Sequence, residues 1–218
     1  MKVQCSITTD RTEAEEILQM KEQNLLKPEG LIEISESEIN QLMENGFVIG
    51  DHTDVDLLNW IEDSDARIYV ARSSEEESIL GFAIILEDDK TKEKINNYTN
   101  DMTIKNNKFM QIVKSEKFVY LIQILINKQF IGKGIGTALA RYIIEKETKP
   151  IISYVIKQPI MNKASVYFHL KTGFEYVGTY NGEYGGFNDY QSICFLHENR
   201  NVTVSKEELN QRFQELVS

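Results

Sequence analysis

The chain has 218 residues, of which 41% are hydrophobic, 10% aromatic and 27% charged, an ordinary globular composition that excludes collagenous, low-complexity and wholly disordered chains. Its 24 Lys and Arg against 34 Asp and Glu leave a net charge of -10, which repels nucleic acid and anionic lipid and favours a cationic or neutral partner. Two cysteines, Cys5 and Cys194, are too few for a disulfide framework, no apolar run is long enough to span a bilayer, and the opening Met1-Lys2-Val3-Gln4-Cys5-Ser6 lacks an apolar signal region, so the expected location is the cytoplasm, with no nucleic acid and no membrane as partners.

Alternation of Val3, Cys5 and Ile7 with polar neighbours predicts a first strand. Helical texture follows over 12–26, ended by Pro28 and Gly30, and two further helices are expected over 35–46 and 51–60. Residues 67–72 and 79–87 read as a strand hairpin around a charged turn. The stretch 88–116 is rich in Lys, Asn, Asp and Thr with sparse apolar residues, and reads as an inserted, partly helical, solvated surface segment or a mobile lid. A nearly continuous apolar run over 118–126, interrupted by Gln123, predicts a strand buried on both faces. Gly132, Gly134 and Gly136 come next, then a helix in which Ile135, Leu139 and Ile143 recur, and a second buried strand over 151–156, which together make a right-handed crossover unit. A helix over 162–172 ends at Gly173, strands over 174–180 and 190–196 follow, and Ser205 with Glu208 forms a capping box for a last helix. The expected division is one domain over 1–198, with the insertion at about 88–116, and a helical extension over 199–218.

Three glycines at alternate positions between a strand and a helix let the backbone approach a ligand and present N–H groups at the positive helix end, which suits a pyrophosphate. Neither the P-loop nor the dinucleotide-binding spacing is present. The segment Ile126-Asn127-Lys128-Gln129-Phe130-Ile131-Gly132-Lys133-Gly134-Ile135-Gly136-Thr137-Ala138-Leu139 resembles the acyl-CoA-binding motif of the GNAT superfamily of N-acetyltransferases. In that pattern an Arg or Gln is followed by two intervening residues, a Gly, one intervening residue and a Gly or Ala; Gly134 and Gly136 match the two small positions, whereas Ile131 replaces the Arg or Gln. A second segment, Asn162-Lys163-Ala164-Ser165-Val166-Tyr167-Phe168-His169-Leu170-Lys171-Thr172-Gly173-Phe174, is similar to the family's late helix and following strand. The resemblance covers roughly residues 67–198.

The resemblance implies an α/β fold with a mixed, twisted sheet of about six or seven strands and helices on both faces, split where two central parallel strands diverge. It also implies acetyl-CoA as co-substrate and transfer of its acetyl group to a primary amine of a small molecule or peptide. The cofactor-binding positions would be Leu125, Ile126, Ile131, Gly132, Lys133, Gly134, Ile135, Gly136, Thr137 and Asn162, with Lys128 a further phosphate candidate and a backbone N–H near Leu125 or Ile126 polarising the thioester. Counting back four residues from Gly173 gives His169 as general acid, with Tyr167 as its rival. Gln123, Glu183, Tyr184 and Asp189 are the acceptor-side candidates, Glu183 or Asp189 also being candidates for passing on the amine's proton. The acidic balance favours a cationic acceptor such as a polyamine, amino sugar or amino acid derivative. The alternative is an acyl-CoA-binding sensor or structural module without turnover. His52 and His197 have no second ligand at metal spacing, so no metal is expected; Trp60 reads as core, and a homodimer is compatible with the sequence.

Overall fold

A computed structural model describes residues 2–31, 34–50, 53–75, 78–104, 106–199 and 204–217. The alternating opening forms β1 (Val3–Thr8), and Asp10, accepting the Thr12 N–H, starts α1 (Arg11–Glu22). Ser35 and Thr53 open α2 (Glu36–Asn45) and α3 (Asp54–Glu62) as capping boxes, each accepting an N–H from the first turn while Glu38 or Asp56 reaches back. The expected hairpin is β2 (Ala66–Ser73) with β3 (Ile79–Leu86), the latter buried along its whole length.

Residues 88–116 are not the solvated excursion that their polarity predicts. They form α4 (Asp89–Tyr98), β4 (Met102–Ile104) and α5 (Asn107–Ser115). Ile95 and Phe109 are 0% exposed, and burying one Phe is worth about 2–3 kcal/mol. The few apolar residues of the segment lie on inward faces, so a low apolar count still anchors both helices.

The crossover unit is β5 (Val119–Ile126), α6 (Ile135–Lys146) and β6 (Ile151–Gln158), followed by α7 (Lys163–Lys171), β7 (Glu175–Tyr184), β8 (Phe187–His197) and α8 (Lys206–Val217). One sheet of eight strands runs β1-β2-β3-β5-β6-β8-β7-β4, with only β5 and β6 parallel. The additional strand relative to expectation is β4, which pairs with β7 at the sheet edge. Helices α6, α7 and α8 cover one face through Leu139, Leu170 and Leu209. The other face is covered by α1 and α3 at one end and by α4 and α5 at the other. Trp60, on α3, packs half-buried against the core under that face, and Cys194 lies fully buried against β6.

Candidate active site

The two central strands stay together for only three pairs, Val119 with Ile151, Tyr120 with Ile152 and Leu121 with Ser153. Beyond Leu121 they part. A bulge at the same level on the other side of β5, where Ile84 faces Gln123 and Ile85 faces Leu121, leaves Ile122 as the extra residue and turns the strand locally. Past the bulge the register with β3 is regular. The Asn127 N–H donates to the Leu80 carbonyl at 2.9 Å, so the two-residue ladder period aims the Leu125 and Gln123 amides at β3 as well. The amides of Ile124 and Ile126 therefore face the gap. Of the two positions expected to polarise a carbonyl, Ile126 fits and Leu125 is turned away.

The gap opens into a cavity of about 560 Å3 that runs from the glycine turn to the tyrosine-rich end of the sheet. Ile131, Gly132, Gly134, Ile135, Gly136 and Thr137 line it, together with Gln123, Leu125 and Ile126. Gly132 and Gly134 have φ of +79° and +82°, and a Cβ at either would project into open space. Gly134 is the N-cap of α6 and has no side chain to satisfy the first-turn N–H groups, which are therefore available to an anion. Lys133 is not among the lining residues, and its ammonium lies 4.7 Å from the Phe130 ring centre. The Lys128 ammonium donates to the Gln23 carbonyl at 2.8 Å, so it is anchored away from the phosphate role. Ile131, 39% exposed, brings no charge to the turn, leaving a cradle made of backbone.

Helix α7 forms the opposite wall. Asn162 caps it by accepting the Ser165 N–H at 3.0 Å and donates to the Phe47 carbonyl at 2.8 Å, so capping and a tie to the chain after α2 consume its amide. His169 is 1% exposed rather than on the helix surface. Its Nδ1 lies 2.7 Å from the Ser165 carbonyl, its Nε2 lies 3.1 Å from Ser153 Oγ, and its ring stacks on Phe195. A carbonyl only accepts, so Nδ1 carries the proton and Nε2 accepts. Burial drives its pKa down to about 4 against the opposing pull of the Ser165 carbonyl. At neutral pH this imidazole has no spare proton to give. Tyr167 also lines the cavity, is 37% exposed, and packs edge-on against Phe213 of α8.

The model of the acetyltransferase (GNAT) family matches residues 36–174. The chain belongs to this family. No curated protein matches it. Among solved structures, NAA60 of Arabidopsis thaliana in complex with acetyl-CoA superposes with a TM-score of 0.59 at 13% identity, over 90% of this chain and 98% of that one. An N-acetyltransferase from Staphylococcus aureus Mu50 gives 0.54 at 15% identity, over 92% and 100% of the two chains. The ribosomal-protein-S18-alanine N-acetyltransferase of Escherichia coli gives 0.52 at 11% identity, over 94% and 97%. At these identities the likeness establishes the fold, which is the mixed α/β arrangement expected of a GNAT acyltransferase.

At the far end of this GNAT cavity the lining is aromatic. Tyr98, Tyr120, Tyr154, Tyr184 and Tyr190 converge there, with Tyr98 edge-on to Tyr154 at 5.6 Å and Tyr184 against Tyr190 at 5.3 Å. Burial raises the pKa of Tyr120, Tyr154 and Tyr190, so these phenols are neutral. Of the acceptor-side candidates, Gln123 and Tyr184 line the cavity, whereas Glu183 and Asp189 are exposed and do not. The Gln123 Nε2 is buried without a hydrogen-bond partner. Sequence reasoning missed Ser153 and the tyrosines at 98, 120 and 154. Tyr120 and Tyr154 were visible as polar-tipped aromatics inside the two apolar strands, but only the splay shows that both face a cavity. His197, 2% exposed, accepts the Asn199 N–H; His52 lies outside the described residues. Among the described residues no cluster of three or more His, Cys, Asp or Glu could hold a metal, and no helix is long and apolar enough to cross a membrane.

Proposed function

We propose that this protein transfers the acetyl group of acetyl-CoA directly to a primary amine. The observation that carries the reading is the continuity of one cavity from an open, uncapped glycine turn, through freed strand amides, to an aromatic chamber. The fit to the co-substrate rests on Gly132 and Gly134, whose missing side chains leave room at the start of α6 for a pyrophosphate. Acetyl-CoA supplies the activated acyl group. The amides of Ile124 and Ile126 hold the thioester oxygen, where negative charge develops, and a preorganised donor of this kind contributes about 3 kcal/mol to such a step. Tyr167 rather than His169 is the proton donor to the leaving sulfur, because its phenol is accessible from the cavity whereas both His169 ring nitrogens are engaged. Glu44 is the one carboxylate residue among the described lining residues, and it is exposed and 3.9 Å from the Lys163 ammonium. The amine's proton therefore leaves through water. The reaction takes place in the cytoplasm, with acetyl-CoA and the amine as partners.

Titration calorimetry with acetyl-CoA, CoA and ATP, followed by thiol release on an amine panel, tests this reading. Saturable binding of acetyl-CoA and CoA but not ATP, with thiol released on at least one amine, is expected. Binding without thiol release on any amine would favour the sensor alternative, and no binding would remove both.

A further inference from the structure

Helix α8 lies beyond the residues 36–174 that match the family, yet it is built into the core. Leu209 is buried beside Leu139 and Leu170, and Phe213 and Leu216, four and seven residues on, continue the same face, half-buried. Phe213 reaches past that core. It lines the cavity, and its ring meets the Tyr167 ring edge-on, with centres 5.6 Å apart and planes at 86°.

The direction of Tyr167 on α7 gives this contact its meaning. Successive side chains on a helix are turned by about 100°, so Tyr167 and His169, two residues apart, stand on opposite sides of α7. His169 points into the sheet, where Ser153 and Phe195 hold it. Tyr167 is turned away from those partners and is 37% exposed, and α8 stands on the side to which it turns. A general acid works only when held within hydrogen-bond reach of the atom it protonates, whereas an exposed ring flips between rotamers in ps–ns. An edge-on aromatic pair favours one orientation by about two- to tenfold.

Resting on the acetyl-transfer reading and its assignment of Tyr167, we infer that Phe213 is a positioning residue for the reaction, and that α8 is through it a part of the active site. The Phe213 ring holds the Tyr167 phenol toward the cavity. The proton donor stands two residues before the position that the late-helix pattern assigns to it, on the other side of α7, and its support comes from α8 rather than from the sheet.

Steady-state kinetics on an amine that releases thiol tests this with the parent, Phe213→Leu, Tyr167→Phe and the double variant. Phe213→Leu keeps an apolar side chain on the docking face, so α8 stays seated through Leu209 and Leu216. It should lower kcat about three- to tenfold with the KM for the amine unchanged. In the Tyr167→Phe background the same substitution should leave kcat unchanged, because the phenol through which Phe213 acts is gone. Phe213→Tyr, which retains the ring, should keep the parent kcat. An unchanged kcat in Phe213→Leu, an equal loss in both backgrounds, or a Phe213→Tyr variant as slow as Phe213→Leu overturns the inference and leaves acetyl transfer standing. Full activity of Tyr167→Phe removes its assignment as proton donor and the role of Phe213 with it, and thiol release on no amine sinks the acetyl-transfer reading together with the step that Phe213 serves.

Discussion

Ser153 and Leu121 form the last pair that joins β5 to β6, and the Ser153 hydroxyl lies 3.1 Å from the Leu121 carbonyl. The same hydroxyl lies 3.1 Å from His169 Nε2. One proton thus has two acceptors at the point where the strands part, and strand and helix are held together there. The gap between the strands begins at this junction, so its width depends on a buried serine that touches α7.

Replacing that serine tests the coupling. Ser153→Ala leaves His169 Nε2 buried without a partner, a cost of about 1–2 kcal/mol. For a domain of this size that corresponds to a fall of about 2–8 °C in Tm. The KM for acetyl-CoA should rise along with it, because Ile124 and Ile126 lie just past the released pair. Thermal unfolding and steady-state kinetics on the same preparation would show both, and an unchanged KM would separate the junction from the gap.

His169 makes the fold acid-sensitive in a definite window. Its native pKa of about 4 lies below the ordinary value of about 6.5. Between these values the unfolded chain takes up a proton that the native one does not, so stability is full above about pH 6.5 and falls as pH drops toward 4. The loss from this one group is on the order of 3 kcal/mol. Denaturant unfolding at pH 7 and pH 4.5 should show a smaller difference in His169→Gln than in the parent, even though the variant is less stable at pH 7. An equal pH dependence in both would show that His169 is protonated in the native state.

Tyr167→Phe should keep the fold and the acetyl-CoA affinity while lowering kcat by about 100-fold, the usual size of a lost general acid. If instead Tyr167→Phe is fully active and folded His169→Gln loses kcat, the acid role belongs to His169 after all, working from its buried position through Ser153.

Much of the frame was legible because its signals are local. Val3 and Cys5 alternate, Ser35 and Glu38 cap, and Ile135, Leu139 and Ile143 repeat at helical spacing; each needs only its neighbours. The glycine turn was legible for the same reason, since a turn with positive φ, as at Gly134, favours glycine wherever it occurs. Residues 88–116 are partly helical, as expected, but β4 was missed because it exists only through its partner β7, a pairing across about 75 residues that no local pattern contains. The site was half visible. Gly132 and Gly134 could be placed from spacing, but that His169 is buried with both ring nitrogens engaged, and that Glu183 stays outside the cavity, depends on strand splay and hairpin twist rather than on residue type.

The far end of α6 is secured by charge. Glu147, 7% exposed, receives two hydrogen bonds from Arg67 at 2.7 and 3.1 Å and one from the Tyr69 hydroxyl at 2.7 Å. Arg67 also reaches Glu87, which pairs with Lys149. A carboxylate at a helix C-terminus opposes the helix dipole, and the guanidinium compensates. Glu147→Gln leaves Arg67 half paired and should cost about 3 kcal/mol, as breaking a buried pair does. Chemical denaturation would measure it, and a loss below about 1 kcal/mol would mean that Glu87 alone satisfies Arg67.

Gly134 and Gly136 should respond differently to the same added methyl. At Gly134 the new Cβ meets nothing within 4 Å, but φ is +82°, so Gly134→Ala costs about 1–2 kcal/mol in backbone strain and places a methyl in the open space before α6. Acetyl-CoA affinity should fall at least about tenfold, since the pyrophosphate and that methyl compete for one volume. At Gly136 the Cβ would stand 3.4 Å from Phe168 Cε2 and 3.5 Å from Ile126 Cγ1, ordinary contacts inside a helix where Ala is favoured by about 1 kcal/mol over Gly. Gly136→Ala should therefore keep or raise Tm and leave binding within about threefold. Calorimetric titration of both variants reads the contrast directly. Equal affinity in the two would mean that the backbone of the turn does not approach the phosphates.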